Sequence, residues 1–168
     1  TCLTLAKRIG YQPADEAYAL GLFHNCGIPL MLKRFPEYMG VLEQAYAGAT
    51  DEVRVVDGEN DRLNTNHAVV GYYVAKSWNL PKHLCEAIAN HHNVQTVFSE
   101  DSSRNSQLKT LLAILKMAEN ICACYRTLGQ QDEDFEWASI ETTILEYVGF
   151  SEYDFQILKE TIRDLDIS

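Results

Sequence analysis

Apolar residues recur along this chain at intervals of three and four, and nowhere do they alternate in a sustained period of two. That pattern supplies faces for helices to bury and nothing for a sheet, so the expected fold class is all-α, a helical bundle in one domain. Thr1 to Ile9 reads as the end of a helix stopped by Gly10. Pro13 and Asp15 open a helix with Ala17, Leu20, Gly21 and His24 on one face, and Gly27 ends it. Pro29 to Phe35 makes a short apolar helix, and Pro36 starts another that runs to about Ala47. Asn66 is placed to cap a helix carrying His67, Val70, Gly71, Val74 and Trp78. After a break at Asn79 and Leu80, Pro81 falls in the first turn of a helix with Leu84, Ala87, Ile88 and His91 on its face. Ser106 begins the longest helix, with Leu108, Leu111, Leu112, Leu115 and Cys122 inward. Two closing helices follow, about Ala138 to Val148 and Glu152 to Leu165, parted by Gly149.

Three stretches interrupt the pattern. Gly48 to Asn64 is mostly polar, with a Val53–Val56 patch that fits a strand or a helical turn, the helical reading being preferred. Asn93 to Asn105 is rich in Ser, Asp and Asn and reads as a loop, and Gly129 to Glu136 reads as an acidic loop.

A chain of 168 residues with 46% hydrophobic and 23% charged residues has the makeup of one globular domain with a real core. Its longest apolar runs, such as Leu111 to Leu115, are far too short for a bilayer, so no membrane association is expected. A net charge of −10, with only 14 scattered lysines and arginines, argues against nucleic acid as a partner. Cys2, Cys26, Cys85, Cys122 and Cys124 are odd in number and lack the C-x-x-C spacing of a zinc knuckle. They read as small core residues in a reducing, cytoplasmic setting. No secretory leader opens the chain, and a first residue of Thr1 suggests a fragment of a longer protein.

The residues that could carry chemistry are histidines on apolar faces. His24 follows Gly21 and Leu20 by three and four, His67 begins the apolar stripe of its helix, and His91 follows Leu84 by seven. His92 follows Ile88 by four; neighbours on a helix diverge by about 100°, so only one of His91 and His92 is expected to point fully inward. Glu119 follows Leu115 by four and Leu112 by seven, which turns a carboxylate toward the core. An ionised carboxylate there needs a partner, and imidazoles or a metal are suitable ones. Together these residues, on four helices, point to a shared polar pocket.

The string Ala19-Leu20-Gly21-Leu22-Phe23-His24-Asn25-Cys26-Gly27 resembles the A-x-x-G-L-L-H-D-I-G segment of the HD superfamily. Further on, His67 with Gly71, Trp78-Asn79-Leu80-Pro81, Ala87-Ile88 and His91-His92 resemble the H-x-x-x-G, W-x-L-P, A-I and H-H pattern of the HDOD domain, and Glu59 fits upstream. The resemblance runs from about Leu5 to Cys122. It implies an HD-like core over residues 1–127, with variable C-terminal helices over 128–168. HD enzymes hold divalent metals with His and Asp and hydrolyse phosphate esters through a metal-bound water. By position, His24 and Asn25 match the paired His-Asp, and His67 with His91 or His92 matches histidine ligands of the HD-GYP branch. Glu119 stands where the last Asp is expected.

The departures are chemical. Asn25 replaces a bridging carboxylate with a neutral amide, and Ile28 stands where active HD-GYP relatives place a lysine. The superfamily's first ligand histidine falls before Thr1. The resemblance therefore implies a non-catalytic signalling or regulatory output domain of bacterial proteins. It acts through a signalling-protein partner or a small ligand, with no cofactor. His24, Asn25, His67, His91, His92 and Glu119 form its vestigial pocket, and the loops at Asn93–Asn105 and Gly129–Glu136 are its candidate contacts. The alternative is a metal-dependent phosphohydrolase with a reduced site, using His24, His67, His91, His92 and Glu119 as ligands to a divalent metal.

Overall fold

The computed structural model describes residues 1–50, 52–100 and 105–166, and among them there are helices and no strand. The first half comprises α1 (Cys2–Ile9), α2 (Ala14–Phe23), α3 (Ile28–Arg34), α4 (Tyr38–Ala47), α5 (Val55–Leu63) and α6 (His67–Ser77). The second half comprises α7 (Lys82–Asn90), α8 (Val94–Ser99), α9 (Ser106–Cys122), α10 (Cys124–Gly129), α11 (Phe135–Val148) and α12 (Glu152–Asp166). No helix among the described residues is long and apolar enough to cross a membrane.

The bundle is organised around α9. Residues Leu111 to Ala118 are buried without interruption, so this helix has no solvent face over two turns and must be wrapped on all sides. It packs against α1, α2, α7, α8, α10, α11 and α12. Leu111, Leu112, Ile114 and Met117 meet Leu5, Leu20, Ile88 and Ile144 in the main core. A second, smaller core joins α3, α4 and α5 through Met31, Tyr38, Leu42, Ala45 and Val55.

Local signals explain most boundaries. Gly10 (φ 79°) and Gly149 (φ 75°) close α1 and α11 in the left-handed conformation that a Cβ disfavours. Asn66 caps α6 by accepting from the Val69 N–H at 2.9 Å.

The expected elements change in three places, and Cys122, expected inward, is exposed. Pro81 is the residue before α7 rather than part of its first turn. The polar stretch after His92 contains α8, because Val94 and Val97, three apart and both buried, dock it on α9 and α11; residues 101–104 lie outside the described ones. The preferred helical reading of the valine patch holds, Val55 and Val56 opening α5. An unanticipated short helix, α10, follows a left-handed Ala123 (φ 53°), so the segment from Gly129 begins inside a helix and ends, at Glu136, in the first turn of α11.

Candidate functional site

The turn after α2 carries His24 and is pressed onto α6. A Cβ on Gly27 would fall on the His67 carbonyl and stand 2.8 Å from the Gly71 nitrogen, while one on Gly71 would stand 3.0 Å from Ile88 Cγ2. These glycines let α2, α6 and α7 approach closely enough to bring His24, His67 and His91 together.

Three imidazoles form the centre. His67 Nε2 lies 3.2 Å from His91 Nε2 and 3.2 Å from His92 Nε2. His67 and His91 are wholly buried and His92 is 3% exposed. Both members of the adjacent pair point inward, contrary to the helical-wheel expectation. The reason is local: α7 ends at Asn90, His91 is its C-cap, and His92 already follows the non-helical path of the turn. Arg54, donating to Asn93 Oδ1 at 2.7 Å, ties that turn to the start of α5.

Each of these rings has its Nδ1 committed. His67 Nδ1 donates to Glu59 Oε2 at 2.7 Å, His91 Nδ1 to the Ile88 carbonyl at 2.7 Å, and His92 Nδ1 to Glu136 Oε1 at 2.9 Å. The acceptors fix Nδ1 as the donor of each ring, so a ring in its neutral form turns an Nε2 lone pair toward the others. Burial, with the neighbouring imidazoles and the Lys116 ammonium, holds His91 and His92 well below the ordinary histidine pKa. Three Nε2 atoms therefore converge, an arrangement that suits one cation.

Glu59, fully buried, is the anchor of His67. Its Oε1 also accepts the Tyr38 hydroxyl at 2.6 Å and the His67 backbone N–H at 3.2 Å. Burial and the adjacent carboxylate push the Tyr38 phenol far above its ordinary value.

His24 and Glu119 adjoin this centre. His24 Nδ1 donates to the Gly21 carbonyl at 3.0 Å, its ring stands edge-on to His91 at 5.5 Å, and its Nε2 lies 3.3 Å from Glu119 Oε1 without a directed hydrogen bond. Asn25 is not joined to the others: its Oδ1 is buried and has no hydrogen-bond partner.

Two residues absent from the sequence reading complete the site. Lys116 is 3% exposed, with Nζ 2.8 Å from Glu119 Oε2 and 3.0 Å from Glu136 Oε2; by distance these are ion pairs, though neither has hydrogen-bond directionality. Burial alone would raise Glu119 and lower Lys116; their mutual attraction outweighs it, holding the carboxyl far below and the ammonium above its usual range. Lys116 carries no local signal that sets it apart from a solvated lysine at the end of the apolar run Leu111 to Leu115. Glu136 has none either, because its segment reads as a solvated acidic loop.

Imidazole nitrogens 3.2 Å apart can both touch one ion at the usual zinc–imidazole distance of about 2.0–2.1 Å. The Glu59 and Glu136 carboxylates and the Ile88 carbonyl supply the outer hydrogen bonds such ligands need. The residues thus fit one divalent ion held by His67, His91 and His92. They do not fit a carboxylate-bridged pair of ions, since Asn25 offers only an amide and Lys116 already occupies Glu119 and Glu136.

Comparison with known proteins places this all-helical chain in the HD superfamily. The HDOD domain model matches residues 1–94, and the chain belongs to the HDOD family. It is 32% identical over 93 residues to an uncharacterized protein of Treponema pallidum (strain Nichols), a match covering 55% of this chain and 18% of that protein. A solved Shewanella amazonensis SB2B structure described as a "Putative phosphohydrolase" superposes on 98% of this chain and 55% of its own length, with a TM-score of 0.61 and 25% identity. The chain thus spans about a fifth of the one relative's length and about half of the other's.

Proposed function

We infer that this chain is a non-catalytic regulatory domain of a signalling protein, acting through a protein partner, with its histidine pocket serving as a structural centre that holds one divalent ion. The observation that carries this reading is enclosure. The three convergent imidazoles are buried, and two of the carboxylates beside them, Glu119 and Glu136, are already paired with Lys116. A metal-bound water attacking a phosphate ester needs an open coordination position and a path for the ester to reach it. His24 and Glu119 look onto a cavity of about 290 Å³, whose other walls include Cys2, Leu3, Leu22, Leu115 and Ala118, whereas His92 and Glu136 meet a small cleft of about 60 Å³ beside Arg54. Among the described residues no lysine or arginine lines the larger cavity, so it lacks the cations that hold a phosphoryl group, and the cleft that Arg54 shares is too small to admit one.

The imidazole trio favours one structural ion over the metal-free core that Asn25 suggests. When bound, the ion would cross-link the start of α6 to the turn after α7, which is a stabilising role. The test is metal analysis of protein purified without chelator, together with assays on a cyclic dinucleotide and on bis-p-nitrophenyl phosphate. One ion per chain, no turnover and a lower melting temperature after chelation support the reading. Turnover that depends on His67 and on added metal would favour the phosphohydrolase alternative.

A further inference from the structure

Lys116 buries an ammonium group in the most enclosed helix of the bundle, in direct contact with the ligand-orienting machinery. The carboxylate it meets at 3.0 Å, Glu136, is the one that fixes His92. The carboxylate it meets at 2.8 Å, Glu119, is the one beside His24. A lysine here is costly to desolvate and offers no coordination, so its value lies in its charge.

The formal charge of the site shows what that charge does. Glu59, Glu119 and Glu136 contribute three negative charges and Lys116 one positive, with the imidazoles counted as neutral ligands. The remainder is two negative charges, which one divalent ion cancels. A second ion would leave two uncompensated positive charges in a buried site. Asp134, the remaining carboxylate alongside, is engaged elsewhere: it accepts from the Trp137 N–H at 3.0 Å and from Asn120 Nδ2 at 2.9 Å, and Asn120 in turn accepts from Lys159 at 2.6 Å.

We propose that Lys116 is a built-in cation that limits this pocket to a single divalent ion, its ammonium standing between the two carboxylates that a second ion would gather. The proposal rests on the reading that His67, His91 and His92 hold one ion. Replacing Lys116 with a neutral residue frees Glu119 and Glu136 and leaves three negative charges, which favours a second ion beside His24.

The test is a manganese titration of the 168-residue chain and its Lys116→Gln and Lys116→Arg variants, read by equilibrium dialysis and electron paramagnetic resonance. Expected are one Mn²⁺ per chain for the unmodified protein and for Lys116→Arg, and two for Lys116→Gln with the broadened spectrum of a close pair. Thermal unfolding covers a variant that folds poorly without metal: Lys116→Gln should be destabilised in chelator and recover more on adding Mn²⁺ than the unmodified chain does. One ion in Lys116→Gln, or equal destabilisation with and without Mn²⁺, would overturn the role given to Lys116 alone. No ion in the unmodified chain would overturn the imidazole reading and this inference with it.

Discussion

Tyr38→Phe isolates the hydrogen bond that holds the anchor of His67. Tyr38 is fully buried on α4, and its hydroxyl donates to Glu59 Oε1 at 2.6 Å. Phenylalanine keeps the ring and removes one oxygen atom, so the cavity is small and the packing loss minor. What is lost is a short hydrogen bond to a buried carboxylate, which retains only the two donors from His67. Hydrogen bonds to charged groups contribute about 1.5–3 kcal/mol, so a loss of about 2 kcal/mol is expected. For a domain of this size each kcal/mol shifts the melting temperature by about 2–4 °C, so the expected drop is about 4–8 °C. Urea unfolding in the presence of chelator should show a lower midpoint with an unchanged m-value. A change below about 0.5 kcal/mol would refute the reasoning, because it would mean that the carboxylate needs no third donor.

Three further outcomes follow from the same geometry. Gly27→Ala places a methyl group on the His67 backbone carbonyl, which cannot move as a side-chain tip can; the expected cost is about 3 kcal/mol or more, read by urea unfolding, and a near-neutral result would show that the α2–α6 approach is loose. Glu59→Gln removes the charged acceptor of His67 Nδ1 and should weaken metal binding about 10–100-fold by calorimetric titration, whereas unchanged affinity would exclude His67 as an anchored ligand. Burial and neighbouring cationic groups depress His91 and His92 in the fold, so the unfolded chain binds more protons below about pH 6.5. Stability without metal should therefore fall as pH drops from 6.5 toward the folded values, by up to about 1.4 kcal/mol per pH unit for each ring. A urea midpoint that stays flat between about pH 7 and pH 5 would contradict neutral, buried imidazoles.

Periodicity carried the helical architecture because burying one face of a helix leaves a trace every three or four residues. Asn66, Gly10 and Gly149 were legible for a similar reason, since capping depends on the residue itself and its immediate neighbours. The same locality explains the failures. Val94 and Val97 are too few to mark a helix, and α8 exists because α9 and α11 offer a surface for them. His92 was misjudged because a helical wheel applies only while the helix continues, and α7 ends before it.

The nature of the site divides along the same line. His24, His67, His91, His92 and Glu119 could be chosen from the chain, because polar residues set among apolar ones advertise a buried polar pocket. Charge balance could not be read that way. Lys116 pairs with Glu136 across 20 positions of sequence, and His92 meets that same carboxylate across 44. Nothing local to Lys116 distinguishes a buried counter-ion from a solvated lysine beside Glu119. The distinction depends on what surrounds α9, and only the assembled bundle, by removing water from every side of that helix, turns an ordinary lysine into the cation of a closed site.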